Sequence, residues 1–388
     1  MDAARALTLA PALHLRFAAV HVDATPQAET GAGQEFPCQS CGAKLAFKPG
    51  TSALSCPYCG STQQIEAQQT PIVEYSLSEG MSLARRSRAR DLAERGVEVE
   101  CNGCGARAIV TKQSDHCAFC GSPVIVTVQS EEELIMPESL LPFHVDDRKA
   151  KASFQEWVGS RWFAPNDLKK RARAQGMDGV YLPHWTFDSQ TTTRYSGQRG
   201  EHYWETEHYT DAEGKRQERR VQKTRWYPAS GTVQVPFDDV LVCASKSLPR
   251  KLVQDLEPWD LNALTAFQPA YLAGFATERY TVELQEGFGL AEERMEPEIR
   301  AAIRNDIGGD EQRILSMNVR HANTTFKHLL LPLWISSFRY GEKVYRVVVN
   351  ARTGEVAGER PWSAIKIALA VMLGLAIVGV LVYLYANR

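Results

Sequence analysis

Hydrophobic and polar positions divide the chain into stretches of different character. Residues 367–385 (IALAVMLGLAIVGVLVYLY) are nineteen uncharged residues in a row. As a helix rising about 1.5 Å per residue they span about 28 Å, the thickness of a bilayer's hydrocarbon core. Trp362, Tyr383 and Tyr385 flank the run, and Arg360 and Lys366 precede it. Aromatic rings suit membrane interfaces and basic residues favour the cytoplasmic side. Residues 362–388 are therefore expected to be a single-pass C-terminal membrane anchor, with the N-terminal bulk in the cytoplasm.

Residues 128–361 mix alternating runs with helical periodicity, which predicts an α+β region with antiparallel strands. Asp146 or Asp147 can cap a helix carrying Phe154, Trp157, Val158 and Arg161 at helical spacing. Pro165-Asn166 ends that helix and begins another that closes at Gly176. Residues 191–228 alternate polar and aromatic positions about a turn at 211–214, residues 292–308 read as a helix, and residues 343–356 read as a hairpin turning between Asn350 and Gly354. Leu140-Leu141-Pro142-Phe143, Tyr181-Leu182-Pro183-His184-Trp185 and Leu330-Leu331-Pro332-Leu333-Trp334 share a local signature. Two related halves would explain it, and coincidental prolines at strand entries are the alternative.

Toward the N-terminus the hydrophobic pattern fades and cysteines take over. Eight of the nine form four C-x-x-C pairs: Cys38/Cys41 with Cys56/Cys59, and Cys101/Cys104 with Cys117/Cys120. Two residues between paired cysteines let a tight turn aim both sulfurs at one ion, and the longer interval supplies a hairpin that brings the second pair opposite. Gly42, Gly60, Gly105 and Gly121 each follow the second cysteine of a pair, where the turn calls for positive φ. The expectation is two four-cysteine zinc ribbons, residues 35–63 and 99–127, holding two structural Zn2+ ions. Four thiolates fill a tetrahedral shell and leave no position for substrate. Thioredoxin-like redox chemistry would not need four pairs in two ribbon-spaced sets. Residues 1–34 read as a flexible leader and 64–98 as a helical connector, from Leu83, Leu92 and the stop at Gly96. Cys243, in the run VLVCAS, reads as a small buried hydrophobe.

The formal net charge of −2 excludes a global basic field for nucleic acid, leaving only local patches. The densest is Lys215, Arg216, Arg219, Arg220, Lys223 and Arg225, flanked by Tyr203, Trp204, Trp226 and Tyr227. It suits an anionic ligand such as nucleic acid or lipid, or else a solvated hairpin whose cations pair with Glu201, Glu205 and Glu207. His202 and His208 share a strand face and read as solvated; His184 reads as a packed core residue. No phosphate loop, dinucleotide fingerprint, H-E-x-x-H or nucleophile elbow is present, so no catalytic residue, small-molecule substrate or enzymatic activity is assigned.

The tandem ribbons, LLPFHVDDRKAKASFQEWVGSRWFAPNDL, GVYLPHWTFD and the apolar tail together resemble a bacterial family of membrane-anchored double-zinc-ribbon proteins. A Bacillus member is encoded beside a phage-shock-type protein and a band-7 protein, which implies a part in recruiting such proteins to the membrane. Members often carry a label relating them to the primosomal helicase PriA, whose ribbons look alike; this chain lacks the helicase phosphate loop. The resemblance implies a non-enzymatic adaptor for cytosolic or membrane-associated protein partners, with a nucleic-acid-binding ribbon protein as the alternative.

Overall fold

The computed structural model describes residues 36–66, 71–83, 97–101, 103–110, 117–122, 125–127, 135–165, 176–210, 212, 214–340 and 343–387. The expected leader, the connector helix at 83–96 and the helix between Asn166 and Gly176 fall wholly or almost wholly outside them. The fold is α+β with antiparallel sheets, two four-cysteine clusters toward the N-terminus and one apolar C-terminal helix.

The strands are β1 (Ala46–Phe47), β2 (Ala53–Ser55), β3 (Thr62–Gln64), β4 (Tyr75–Ser76), β5 (Val97–Cys101), β6 (Arg107–Val110), β7 (Ile125–Thr127) and β8 (Ser139–Leu140), then β9 (Asp178–Thr210), β10 (Arg216–Cys243), β11 (Thr265–Ala266), β12 (Ala276–Glu278), β13 (Glu311–Tyr340), β14 (Lys343–Asn350) and β15 (Val356–Gly358). The helices are α1 (Leu77–Leu83), α2 (Asp147–Ser160), α3 (Arg250–Gln254), α4 (Leu284–Ile307) and α5 (Ala364–Ala386).

Two strands of unusual length organise the body. β9 runs 33 residues and β13 runs 30, antiparallel to each other from Ile335↔Asp178 to Glu311↔Gly200. Beyond Gly200, β9 and β10 continue as a two-stranded arm to the turn between Thr210 and Arg216. Ten more residues at about 3.4 Å each make that arm about 34 Å long. The expected hairpin at 191–228 is thus the outer part of a much longer one.

Near the centre the same contacts occur twice. Leu182 lies opposite Leu331, the middle residues of two Leu-Pro segments. β12 pairs parallel with β9 at Val180 and Tyr181, and β8 pairs parallel with β13 at Leu329 and Leu330. The antiparallel partner then takes over, β10 from His184 and β14 from Leu333. Pro183 O accepts from Ala244 N at 2.9 Å and Pro332 O from Ala351 N at 3.1 Å. Proline has no N–H to offer at this change of partner, but its carbonyl remains available. Trp185 Nε1 donates to Val282 O at 2.9 Å, and Trp334 Nε1 to Val145 O at 2.8 Å.

α2 forms as its sequence predicts, with Asp146 Oδ1 accepting from Lys149 N at 2.7 Å and with Ala150, Phe154 and Val158 buried. α4 begins eight residues before the expected start at Glu292. Gly287 and Gly289 look like breakers in the sequence, yet a Cβ on Gly287 would lie 2.7 Å from Trp185 Cδ1. Glycine is there for close approach, and the helix buries one continuous stripe through Leu284, Ala291, Met295, Ile299, Ile303 and Ile307. The hairpin of β14 and β15 turns as expected, with Asn350 Oδ1 accepting from Arg352 N at 2.8 Å and Gly354 at φ 83°.

Candidate metal centres

Each cysteine pair sits in the same backbone turn. Gly42, Gly60, Gly105 and Gly121 donate their N–H to Cys38, Cys56, Cys101 and Cys117 carbonyls at 2.7–3.1 Å, with φ between 68° and 74°. That left-handed conformation suits glycine. A second bond closes each turn, from the first cysteine's N–H to the carbonyl of Ala43, Ser61, Ala106 or Ser122. In the pairs Cys38/Cys41, Cys56/Cys59 and Cys117/Cys120 the two intervening residues form the turn.

The turns meet in two clusters. In the first, Cys38 Sγ is 3.5 Å from Cys59 Sγ and Cys41 Sγ is 3.5 Å from Cys56 Sγ. In the second, Cys101 and Cys120 sulfurs are 3.5 Å apart and Cys104 and Cys117 sulfurs 3.8 Å apart. Within each cluster all four sulfurs lie within 4.8 Å of one another. A tetrahedral ion about 2.3 Å from each sulfur would space them about 3.8 Å apart, so the donor set fits a four-thiolate metal ion. The alternate partners Cys38, Cys56, Cys101 and Cys117 are buried.

The surroundings favour thiolate at Cys38, Cys59 and Cys104 and oppose it at Cys41, Cys117 and Cys120. Ser61 Oγ lies 2.9 Å from Cys38 Sγ and 3.2 Å from Cys59 Sγ, able to donate toward either. This hydroxyl holds the Cys38 thiol down to about 6 and lowers Cys59 as well. In the second cluster the contact with Cys117 draws Cys104 down to about 5 and pushes Cys117 up. Gly103 N donates to Cys101 Sγ at 3.3 Å. The sequence reading missed Ser61, although Cys-Gly-Ser stands after both second pairs, at Cys59 and Cys120.

Neither cluster stands apart from the body. In the first ribbon Phe47 N donates to Ala273 O and Gly50 N to Phe143 O, both at 2.9 Å, and the Phe47 ring meets Tyr271 at 5.2 Å. In the second, β6 pairs with β12, Ser337 Oγ donates to Ala118 O at 2.9 Å, and Arg346 Nε to Phe119 O at 2.7 Å. Close by on β12, Glu278 is buried and accepts from Ser245 and Ser247 hydroxyls. Burial pushes its carboxyl up to about 8 against the effect of those hydroxyls.

The six basic residues 215–225 lie on β10 in the arm and at its turn, where β9 supplies opposite charge. Arg219 pairs with Glu207 at 3.0 Å, and Lys223 with Glu205 at 2.8 Å and Glu207 at 3.1 Å. Arg220 lies over Trp204 and Arg225 over Tyr203, 5.7 and 4.8 Å from the ring centroids. The structure brings the patch into an interleaved ladder of charges and rings. His202 contacts Glu311 at 2.9 Å and His208 contacts Glu218 at 3.3 Å, so the two histidines face separate carboxylates. His184 is buried, its Nδ1 3.0 Å from Leu182 O. Cys243 is only partly buried, because it ends β10 where the strand leaves the sheet; its thiol is pushed up to about 12, chiefly by burial.

α5 is capped by Ser363, whose Oγ accepts from Lys366 N at 3.4 Å, and none of its described residues is buried. It is long and apolar enough to cross a membrane.

No family model matches the chain, and no solved structure does. The chain is similar to the uncharacterized protein YdjG of Bacillus subtilis (strain 168), with 27% identity over 341 residues that cover 86% of this chain and 92% of that protein.

Proposed function

We propose that the protein is a single-pass membrane adaptor whose two clusters each hold a structural zinc ion. Its work would be to present the ribbons and the long arm to protein partners on the cytoplasmic side of a bacterial inner membrane. The observation that carries this reading is the closed four-thiolate geometry docked onto a body that continues into an exposed apolar helix. Zinc suits four thiolates in tetrahedral array, and such a site shapes a surface without performing catalysis. Cys104 and Cys120 are half-buried and Cys41 and Cys59 exposed, so the outward side of each turn is accessible, with Tyr58 at its tip 82% exposed. The resemblance to the double-ribbon family supports membrane-stress or band-7-type assemblies as the setting. The doubled contacts about Leu182 and Leu331 support reading residues 128–361 as two related halves. Nucleic-acid binding is the weaker reading, because cations of the arm already face carboxylates and rings of the same hairpin.

Proximity labelling in living cells tests the proposal, with the full-length chain fused to a labelling enzyme and compared with an unrelated protein carrying the same anchor. A reproducible set of membrane-associated neighbours, diminished by Tyr58→Ala with both metals retained, is the expected result. Neighbours no different from the control, together with salt-sensitive binding of the purified chain to DNA or RNA, would replace the adaptor by the nucleic-acid reading.

A further inference from the structure

The root of the apolar helix is not a free linker. β15 ends at Gly358 and the helix cap is Ser363, with buried Pro361 between them. Ser363 N donates to Phe163 O at 2.8 Å, while Lys366 Nζ donates to Trp162 O at 2.9 Å and to Ala164 O at 2.8 Å. A loop about two hundred residues earlier in the chain is therefore fastened to the first turn of α5 by three hydrogen bonds.

That loop carries large apolar side chains outward. Trp162 is 76% exposed and Trp362 is 60% exposed. Phe163 lies between them, its ring centroid 5.9 Å from Trp162 and 6.4 Å from Trp362. Arg360 sits over Trp362 at 4.4 Å, and Arg161 over Trp157 at 4.9 Å. Nothing in the body's own packing requires two exposed tryptophans here. Exposed indoles with adjacent cations are the composition of a membrane interface, where an apolar ring and its N–H are both accommodated. Position agrees with composition: Lys366 immediately precedes the uncharged run at 367–385, so the carbonyls it binds lie within one helical turn of the hydrocarbon boundary.

We infer that Trp162, Phe163 and Trp362, with Arg161 and Arg360 beside them, form a seat that inserts into the headgroup region of the bilayer crossed by α5. This rests on α5 being a membrane span. The seat gives the body a second contact with lipid and sets its orientation, so the ribbons are held at a fixed height instead of swinging on a tether.

The test uses full-length protein reconstituted in phosphatidylcholine vesicles, with or without lipid brominated on its upper acyl carbons. Emission attributable to Trp162 is taken as the difference between wild type and Trp162→Phe; Trp362→Phe gives the corresponding reference for the helix root. Alkaline carbonate extraction is run in parallel. The seat predicts that the Trp162 difference emission is blue-shifted and loses intensity to bromine about as strongly as that of Trp362. Protein retained after extraction, with red, unquenched Trp162 emission, overturns the seat and leaves the anchor standing. Release by carbonate overturns the anchor and the seat together.

Discussion

Ser61 shows how a single side chain can tune a four-cysteine cluster without being one of its sulfurs. Its hydroxyl reaches two sulfurs of the first cluster, and the charge-assisted bond its single proton donates to one or the other draws electron density from a thiolate. Ser61→Ala should lower the metal affinity of that cluster about 10-fold, in the range found for partners of metal ligands, and leave the second cluster unchanged. Chelator competition that resolves the two sites checks this. Cys101→Ser removes a ligand outright and should reduce bound metal from two ions per chain to one, measured by elemental analysis. Glu278 makes a prediction of another kind. Buried and unable to reach water, it is protonated in the fold up to about pH 8, whereas in the unfolded chain it ionises above about 4.5. The unfolded state therefore gains as pH rises between those values, and the stability contributed below 4.5 is lost as pH passes 8. Glu278→Gln keeps the partners and removes the titration. It should be more stable than wild type at pH 8 by roughly 2–5 kcal/mol, with the difference gone by pH 4. Parallel unfolding profiles for the two proteins would refute this account.

Among the elements, α4 is the clearest case of tertiary packing overriding local signals. Its buried stripe covers the β9 and β10 side of the body, and Ile303, fully buried, lies well inside it. Ile303→Ala should cost about 2–5 kcal/mol in a denaturant titration, since a packed core cannot close over the lost methylenes. The elements legible in the sequence are those whose signal is local: the four cysteine turns with their glycines, the Asp146 cap of α2, the Asn350 to Gly354 turn and the apolar run of α5. The first two turns of α4 are hidden because Gly287 answers to Trp185, a residue about a hundred positions away. The reach of the β9–β10 hairpin is hidden for a similar reason. Alternation of polar and aromatic positions reports a strand but not its partner, and it is the pairing with β13 that shows where sheet ends and arm begins. The Trp162 loop gives no signal at all in sequence, since its significance comes from where Lys366 and Ser363 hold it.

At the scale of the molecule, the ribbons share the body's cores instead of forming cores of their own. Cys38, Leu45, Phe47, Leu54 and Cys56 belong to one buried cluster with Leu140, Phe143, Tyr181 and Trp334, and Cys101, Cys117 and Phe119 to another with Leu182, Leu331 and Ile335. Leu182 and Leu331, at the centre of the doubled contacts, thus lie in the same core as Cys101 and Cys117 of the second cluster. A ribbon on a flexible connector would lose its metal without consequence elsewhere. If both clusters hold metal, its removal leaves eight cysteine side chains without their common ions next to shared apolar surface, and the free energy of metal binding becomes free energy of folding. Chelation under reducing conditions should therefore lower the unfolding temperature of the whole body, and hydrogen exchange should speed up beyond the ribbons. The amide to follow is Leu141, bonded to Leu330 O at 3.1 Å. If exchange accelerated only at residues 36–66 and 97–127 while Leu141 stayed protected, the ribbons would be independent modules fastened to a self-sufficient body. Faster exchange at Leu141 would mean that the metals hold together the ribbons and the sheet on which they are seated.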